Sequence, residues 1–120
     1  MRAALTYWDG RIAPVFDVSR RVLILTIQDG AVVPRRTASI EAPTVALKVD
    51  RLIELGVDTL ICGAISEPLH RELTGRRVKV FGFVAGEVGE VERTFVAGAL
   101  PSAALSMPGC CGRRRRFCGG

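Results

Sequence analysis

The residues of this chain best suited to chemistry are its soft ligands. Cys62, Cys110, Cys111 and Cys118 are its four cysteines, and His70 is its single histidine. Thiolate and imidazole favour iron, zinc and iron–sulfur clusters. Three of the thiols crowd the ending SMPGCCGRRRRFCGG, beside Arg113 to Arg116. Their CC-x6-C spacing is not the C-x2-C pair of a zinc ribbon or a ferredoxin. Adjacent side chains point apart, so Cys110 and Cys111 do not readily grip one ion, and a closed site needs a further ligand from the body or from another chain. Three thiols beside arginines are nevertheless reactive enough to hold iron or an anionic cluster transiently. The plainer reading is a solvated tail, because Pro, Gly and Arg build no core.

Cys62 and His70 lie in the body of the chain. Cys62 ends a predicted strand, where a neighbouring helix N-terminus could lower its pKa and make it a ligand. The favoured reading is a small buried apolar residue ending a core strand. His70 falls near the start of a predicted helix, either as a ligand or as a surface residue. With no second histidine, an acid–base pair or a multi-histidine zinc site is not available. Trp8, the single tryptophan, falls in the first loop, where it either walls a pocket or packs beneath it.

Composition limits the partners. The net charge of +5 is mostly the arginine run; without it, thirteen basic residues face twelve acidic ones. Electrostatic attraction is therefore a property of the tail rather than of the fold. No stretch is long enough to cross a bilayer, and the N-terminus lacks the pattern of a signal peptide. The expectation is a cytoplasmic protein with reduced cysteines, no membrane partner, and no nucleic acid favoured as a partner. Oligomeric state has no signature in the sequence.

These residues need elements to position them. Ala3–Tyr7 reads as a first strand, followed by a turn at Trp8-Asp9-Gly10-Arg11. Val22–Gln28 (VLILTIQ) is a second strand. Asp29-Gly30 is a hairpin signal, and the returning strand near Val32–Ser39 carries Pro34, Arg35 and Arg36, as an edge would. From Pro43 the period becomes helical, with Thr44 as cap, Val45, Val49, Leu52 and Ile53 on one face, and Gly56 as the stop. Asp58–Cys62 is a fourth strand. Ser66 caps a second helix with Leu69 and Leu73 inward, and Gly75 ends it. Val78–Phe83 is a fifth strand. Glu87 and Glu90 open a third helix, with Val88, Val91, Phe95 and Val96 as its apolar face.

An antiparallel meander followed by α/β alternation predicts an α/β, ribonuclease H-like three-layer fold: a mixed five-stranded sheet of order 3-2-1-4-5 with helices on both faces. Residues 1–100 form the domain and 101–120 a flexible Cys/Arg-rich tail. Ligands of such sheets bind beyond the carboxyl ends of the parallel strands. Three loops are predicted there: Trp8, Asp9, Gly10 and Arg11; Cys62 with Gly63, Ala64, Ile65 and Ser66; and Gly82 to Glu87. Two of them lead into helix N-termini, whose free N–H groups attract anions. A metal-dependent nuclease would need several convergent carboxylates. Asp9 lies past its strand, and the fourth strand ends in Cys62 where an acid would serve, so this reading ranks below the others.

Trp8-Asp9-Gly10-Arg11-Ile12-Ala13-Pro14-Val15-Phe16-Asp17 resembles the opening of the dinitrogenase iron–molybdenum cofactor biosynthesis family, which includes NifX-like proteins and the cofactor-binding domain attached to NifB. Leu55-Gly56-Val57-Asp58-Thr59-Leu60-Ile61-Cys62-Gly63-Ala64-Ile65 is similar to its middle segment. Met107-Pro108-Gly109-Cys110, then Gly112 and arginines, is similar to the ending of stand-alone members. The resemblance runs from Ala3 to about Leu100. It implies a ribonuclease H-like fold and non-catalytic, transient carriage of an iron–sulfur or iron–molybdenum-type cluster or its precursor, passed to an assembly or acceptor protein. In some members a histidine or cysteine helps to hold the cluster. Cys62, His70, Cys110, Cys111 and Cys118 are the candidate ligands, and Trp8 to Arg11 with Gly63 to Ser66 the candidate cradle. The competing expectation is an interaction module binding an acidic partner or nucleic acid through Arg113 to Arg116.

Overall fold

Strand β1 (Arg2–Trp8) lies in the middle of a mixed sheet. The computed structural model describes residues 2–28, 31–32 and 36–100. On one side of β1 runs antiparallel β3 (Arg21–Gln28), with Leu5 opposite Leu23; on the other runs parallel β6 (Thr59–Ile61), with Leu5 beside Ile61. Parallel β7 (Lys79–Phe81) follows β6. Beyond β3 lie two short pieces, β4 (Ala31–Val32) and β5 (Arg36–Ser39). Both pieces of the returning arm expected from the sequence pair antiparallel with β3. The predicted Asp29-Gly30 turn and Pro34-Arg35 lie outside the described residues, as does the tail with Cys110, Cys111, Cys118 and Arg113 to Arg116.

Alternation along the strands divides the core into two layers, because successive side chains leave a strand on opposite faces. Ala4, Val22, Ile24, Leu60 and Cys62 face α1 (Val45–Glu54) and α2 (Glu67–Gly75), meeting Val49, Leu52, Leu69 and Leu73. Ala3, Leu5, Leu23, Leu25 and Ile61 face α3 (Val88–Val96), through Val91 with Val88 and Phe95 packed alongside. The mixed α/β fold, with helices on both faces, follows from that division.

The helix boundaries follow local chemistry. The Thr44 hydroxyl accepts the Leu47 N–H at 3.2 Å, and Gly56, at φ 77, turns the chain out of α1. Ile53 and Val96, expected to face inward, are substantially exposed. Each lies at the margin of its helix's apolar stripe. Lys48 instead takes an inward place, four residues before the buried Leu52.

Candidate functional site

The C-terminal ends of β1 and β6 carry the site. Strand β1 continues into a two-residue turn, Asp9 (φ 56) and Gly10 (φ 78), and returns as β2 (Arg11–Ile12), pairing Tyr7 with Ile12 and Trp8 with Arg11. Positive φ at both central residues is the tight hairpin geometry that Asp-Gly favours. The chain then passes through Ala13-Pro14-Val15 into a single 3-10 turn, Phe16–Val18, before β3 begins.

The loops predicted as an amide-lined rim are bonded to one another instead. The Ala64 N–H donates to Pro14 O at 2.7 Å, and the Phe16 N–H donates to Ala64 O at 2.7 Å. The N–H groups of Phe83 and Val84 donate to Gly63 O and Cys62 O, and the Val88 N–H donates to Gly10 O. A Cβ at Gly63 would collide with the carbonyl oxygens of Ala13 and Pro14. The glycine is therefore required by the neighbouring loop, where the sequence reading had left room for a ligand. At the start of α2, the Ser66 N–H donates to Asp17 Oδ1 at 3.1 Å. A side-chain carboxylate thus occupies the place where an anionic guest was expected.

Among the described residues, the two soft ligands Cys62 and His70 belong to no metal-holding group. Cys62 is 0% exposed within the core layer beneath the loops. Burial pushes its thiol up to about 12, and the negative Asp17 adds to the effect. The lowered pKa considered for this residue is therefore reversed: strand β6 ends inside the core, and no thiolate forms there near neutral pH. His70 is exposed on α2. Among the described residues no group of three His, Cys, Asp or Glu side chains is placed to hold a metal ion.

What the hairpin does frame is an open depression of about 670 Å³. It is lined by Tyr7, Trp8 and Asp9 from the hairpin, by Ala13, Pro14 and Val15, and by Val18, Ser19, Arg20 and Arg21. Trp8 is 68% exposed and Val18 74%. Of the expected cradle, Trp8 and Asp9 line this space, whereas Gly10, Arg11 and Gly63 to Ser66 do not. Arg20 reaches Glu41 at 3.8 Å across exposed surface. Arg21 makes no ion pair among the described residues.

Behind the 3-10 turn stands a residue the sequence reading passed over. Lys48 is buried on α1, and its Nζ donates to Phe16 O at 2.8 Å and to Asp17 O at 2.9 Å. The ammonium lies 5.0 Å from the centre of the Phe16 ring. Desolvation lowers its pKa, and the Asp17 charge opposes that shift. Its place four residues before Leu52 was the available signal, since an inward stripe position held by lysine is unusual.

Similarity to known proteins agrees with the mixed α/β architecture. The family model described as dinitrogenase iron-molybdenum cofactor matches residues 1–98, and the chain belongs to that family. The crystal structure of PH0822 superposes with a TM-score of 0.72 at 18% identity, over 82% of this chain and 91% of that one. The crystal structure of mj0327 from Methanocaldococcus jannaschii, provisionally called a dinitrogenase, gives 0.70 at 18% identity, over 88% and 96%. TM1290 from Thermotoga, provisionally called a NifB protein of the DUF35 family, gives 0.61 at 21% identity, over 82% and 89%. At these identities the likeness is one of fold. No protein of curated function matches the chain. No helix among the described residues is long and apolar enough to cross a membrane.

Proposed function

We propose that this chain is a non-catalytic carrier that seats an anionic iron–sulfur or iron–molybdenum-type cluster, or its precursor, in the depression beside Trp8. Family membership supplies the class of cargo. The observation that carries the reading is the lining: apolar Ala13, Pro14, Val15 and Val18, the indole of Trp8, and Arg20 and Arg21 against the single acid Asp9, with neither cysteine nor histidine among the lining residues. Such a seat attracts a soft, negatively charged cluster by charge and contact and forms no iron–thiolate bond that release would have to break. Weak, reversible retention is what delivery to an assembly or acceptor protein requires. The layering, with β1 between antiparallel β3 and parallel β6, is read as ribonuclease H-like, and the setting as cytoplasmic. Cys110, Cys111 and Cys118, outside the described residues, stay candidate ligands beyond this seat.

Anaerobic titration with tetrathiomolybdate, a molybdenum–sulfur anion, tests the seat directly. The expected result is saturable quenching of the single tryptophan, with molybdenum and iron retained after reconstitution with cluster precursor. A chain ending before Ser106 separates the contribution of the body from that of the tail. Absence of both quenching and retained metal in the intact chain would remove the carrier reading.

A further inference from the structure

One wall of the depression is a weak element. A single 3-10 turn has poor hydrogen-bond geometry and little stability of its own, yet Phe16–Val18 sets where Val15, Val18 and Arg20 stand. Its surroundings hold it. The Ser19 Oγ–H donates to Val15 O at 2.8 Å, and Asp17 Oδ1 accepts the Ser66 N–H from the start of α2. From behind, Lys48 donates to the carbonyls of Phe16 and Asp17 and covers the Phe16 ring.

We propose that Lys48 is a positioning residue for the anion seat: its ammonium draws the Phe16 and Asp17 carbonyls inward and so holds Val15, Val18 and Arg20 in place around the depression. The inference rests on the carrier reading given above. An ammonium is an expensive group to bury for packing alone, because desolvation opposes it and a methionine would fill the same stem volume. What it supplies, and methionine cannot, is two directed donors to two adjacent main-chain acceptors. Those two bonds fix both peptide planes of the turn at once. The turn also carries the Asp17 side chain, so the same clasp aligns the carboxylate with α2.

The test uses the full chain, tetrathiomolybdate as probe and Trp8 quenching as readout. Lys48→Met is expected to weaken binding about tenfold, the scale of hydrogen bonds made by a charged group. Lys48→Arg, which restores a cationic donor, keeps most of the affinity. Val91→Ala, which opens a cavity in the opposite core layer, lowers stability and leaves binding at the wild-type value. Hydrogen exchange at the Phe16 and Ser19 amides accelerates in Lys48→Met, while the β1–β3 ladder stays protected. Should Lys48→Met fail to fold, Asp17→Ala, which removes the acceptor of the Ser66 N–H, loosens the same turn from the α2 side and carries the same expectation. A folded Lys48→Met that binds as wild type, or a Val91→Ala that loses as much affinity, overturns the proposal. A wild-type chain that does not quench at all counts instead against the carrier reading.

Discussion

Asp17 Oδ1 accepts the Ser66 N–H at 3.1 Å across forty-nine positions of sequence, tying the turn after β2 to the N-cap residue of α2. Ser66 makes no side-chain cap of its own, so the carboxylate acts as the cap from a distance. Asp17→Ala is expected to lower stability by about 1 kcal/mol, the usual scale of a lost N-cap. Asp17→Asn, which keeps an acceptor oxygen, should lose less. Urea unfolding of both variants measures the difference.

Gly63 lies against the Ala13 and Pro14 carbonyls with no room for a methyl group. Gly63→Ala is expected to cost about 3 kcal/mol, because backbone on both sides must shift. Thermal unfolding should show it, whereas Gly75→Ala, in open space at the end of α2, should not destabilise comparably.

Cys62 should be inert in the folded protein. Thiol-specific alkylation followed by peptide mapping is expected to label it only on unfolding. Its folded pKa, raised from 9.0 to about 12, means that the folded state holds a proton the unfolded state gives up. The stability this contributes is fully present below pH 9 and is lost as the pH rises toward 12. Lys48 has the opposite sign: its lowered pKa imposes a penalty at neutral pH that is relieved as the pH rises toward 10.5. Comparing wild type with Cys62→Ala between pH 7 and pH 10 isolates the cysteine, since every other group cancels, and the stability gap should narrow at the alkaline end.

Arg20 and Arg21 should govern affinity for anions without supporting the fold. The double variant Arg20→Gln, Arg21→Gln is expected to bind tetrathiomolybdate about tenfold more weakly. Wild-type binding should weaken with added salt, and that dependence should shrink in the variant. Stability should change by less than about 0.5 kcal/mol, because both side chains are exposed.

Much of the architecture was legible because it depends on patterns of period two and period 3.6. VLILTIQ announces β3, and Val49 with Leu52 announces the inward side of α1. The returning arm was legible as an edge partner of β3, which β4 and β5 both pair, and residues 33–35 lie outside the described residues. At the site, the Trp8 hairpin was visible as a turn signal, and its positive φ pair explains why Asp-Gly stands there. The amide rim was misjudged because a helix N-terminus in sequence does not reveal which neighbour will use its N–H groups. Pro14 and Asp17, both distant in the chain, accept the N–H groups of Ala64 and Ser66 in the second loop. Lys48 and the Arg20-Arg21 pair were missed for a related reason. Each has an ordinary solvated reading until the third dimension places it behind or beside the turn.

The latch between Pro14, Ala64 and Gly63 leaves little freedom to alter loop lengths. One added residue in either loop would unfasten both, so new cargo preferences in this scaffold are more readily acquired by exchanging side chains on a fixed frame. Trp8, Val18 and Arg21 can be exchanged in that way with little disturbance to the layers below, and they are where divergence in cargo choice should accumulate.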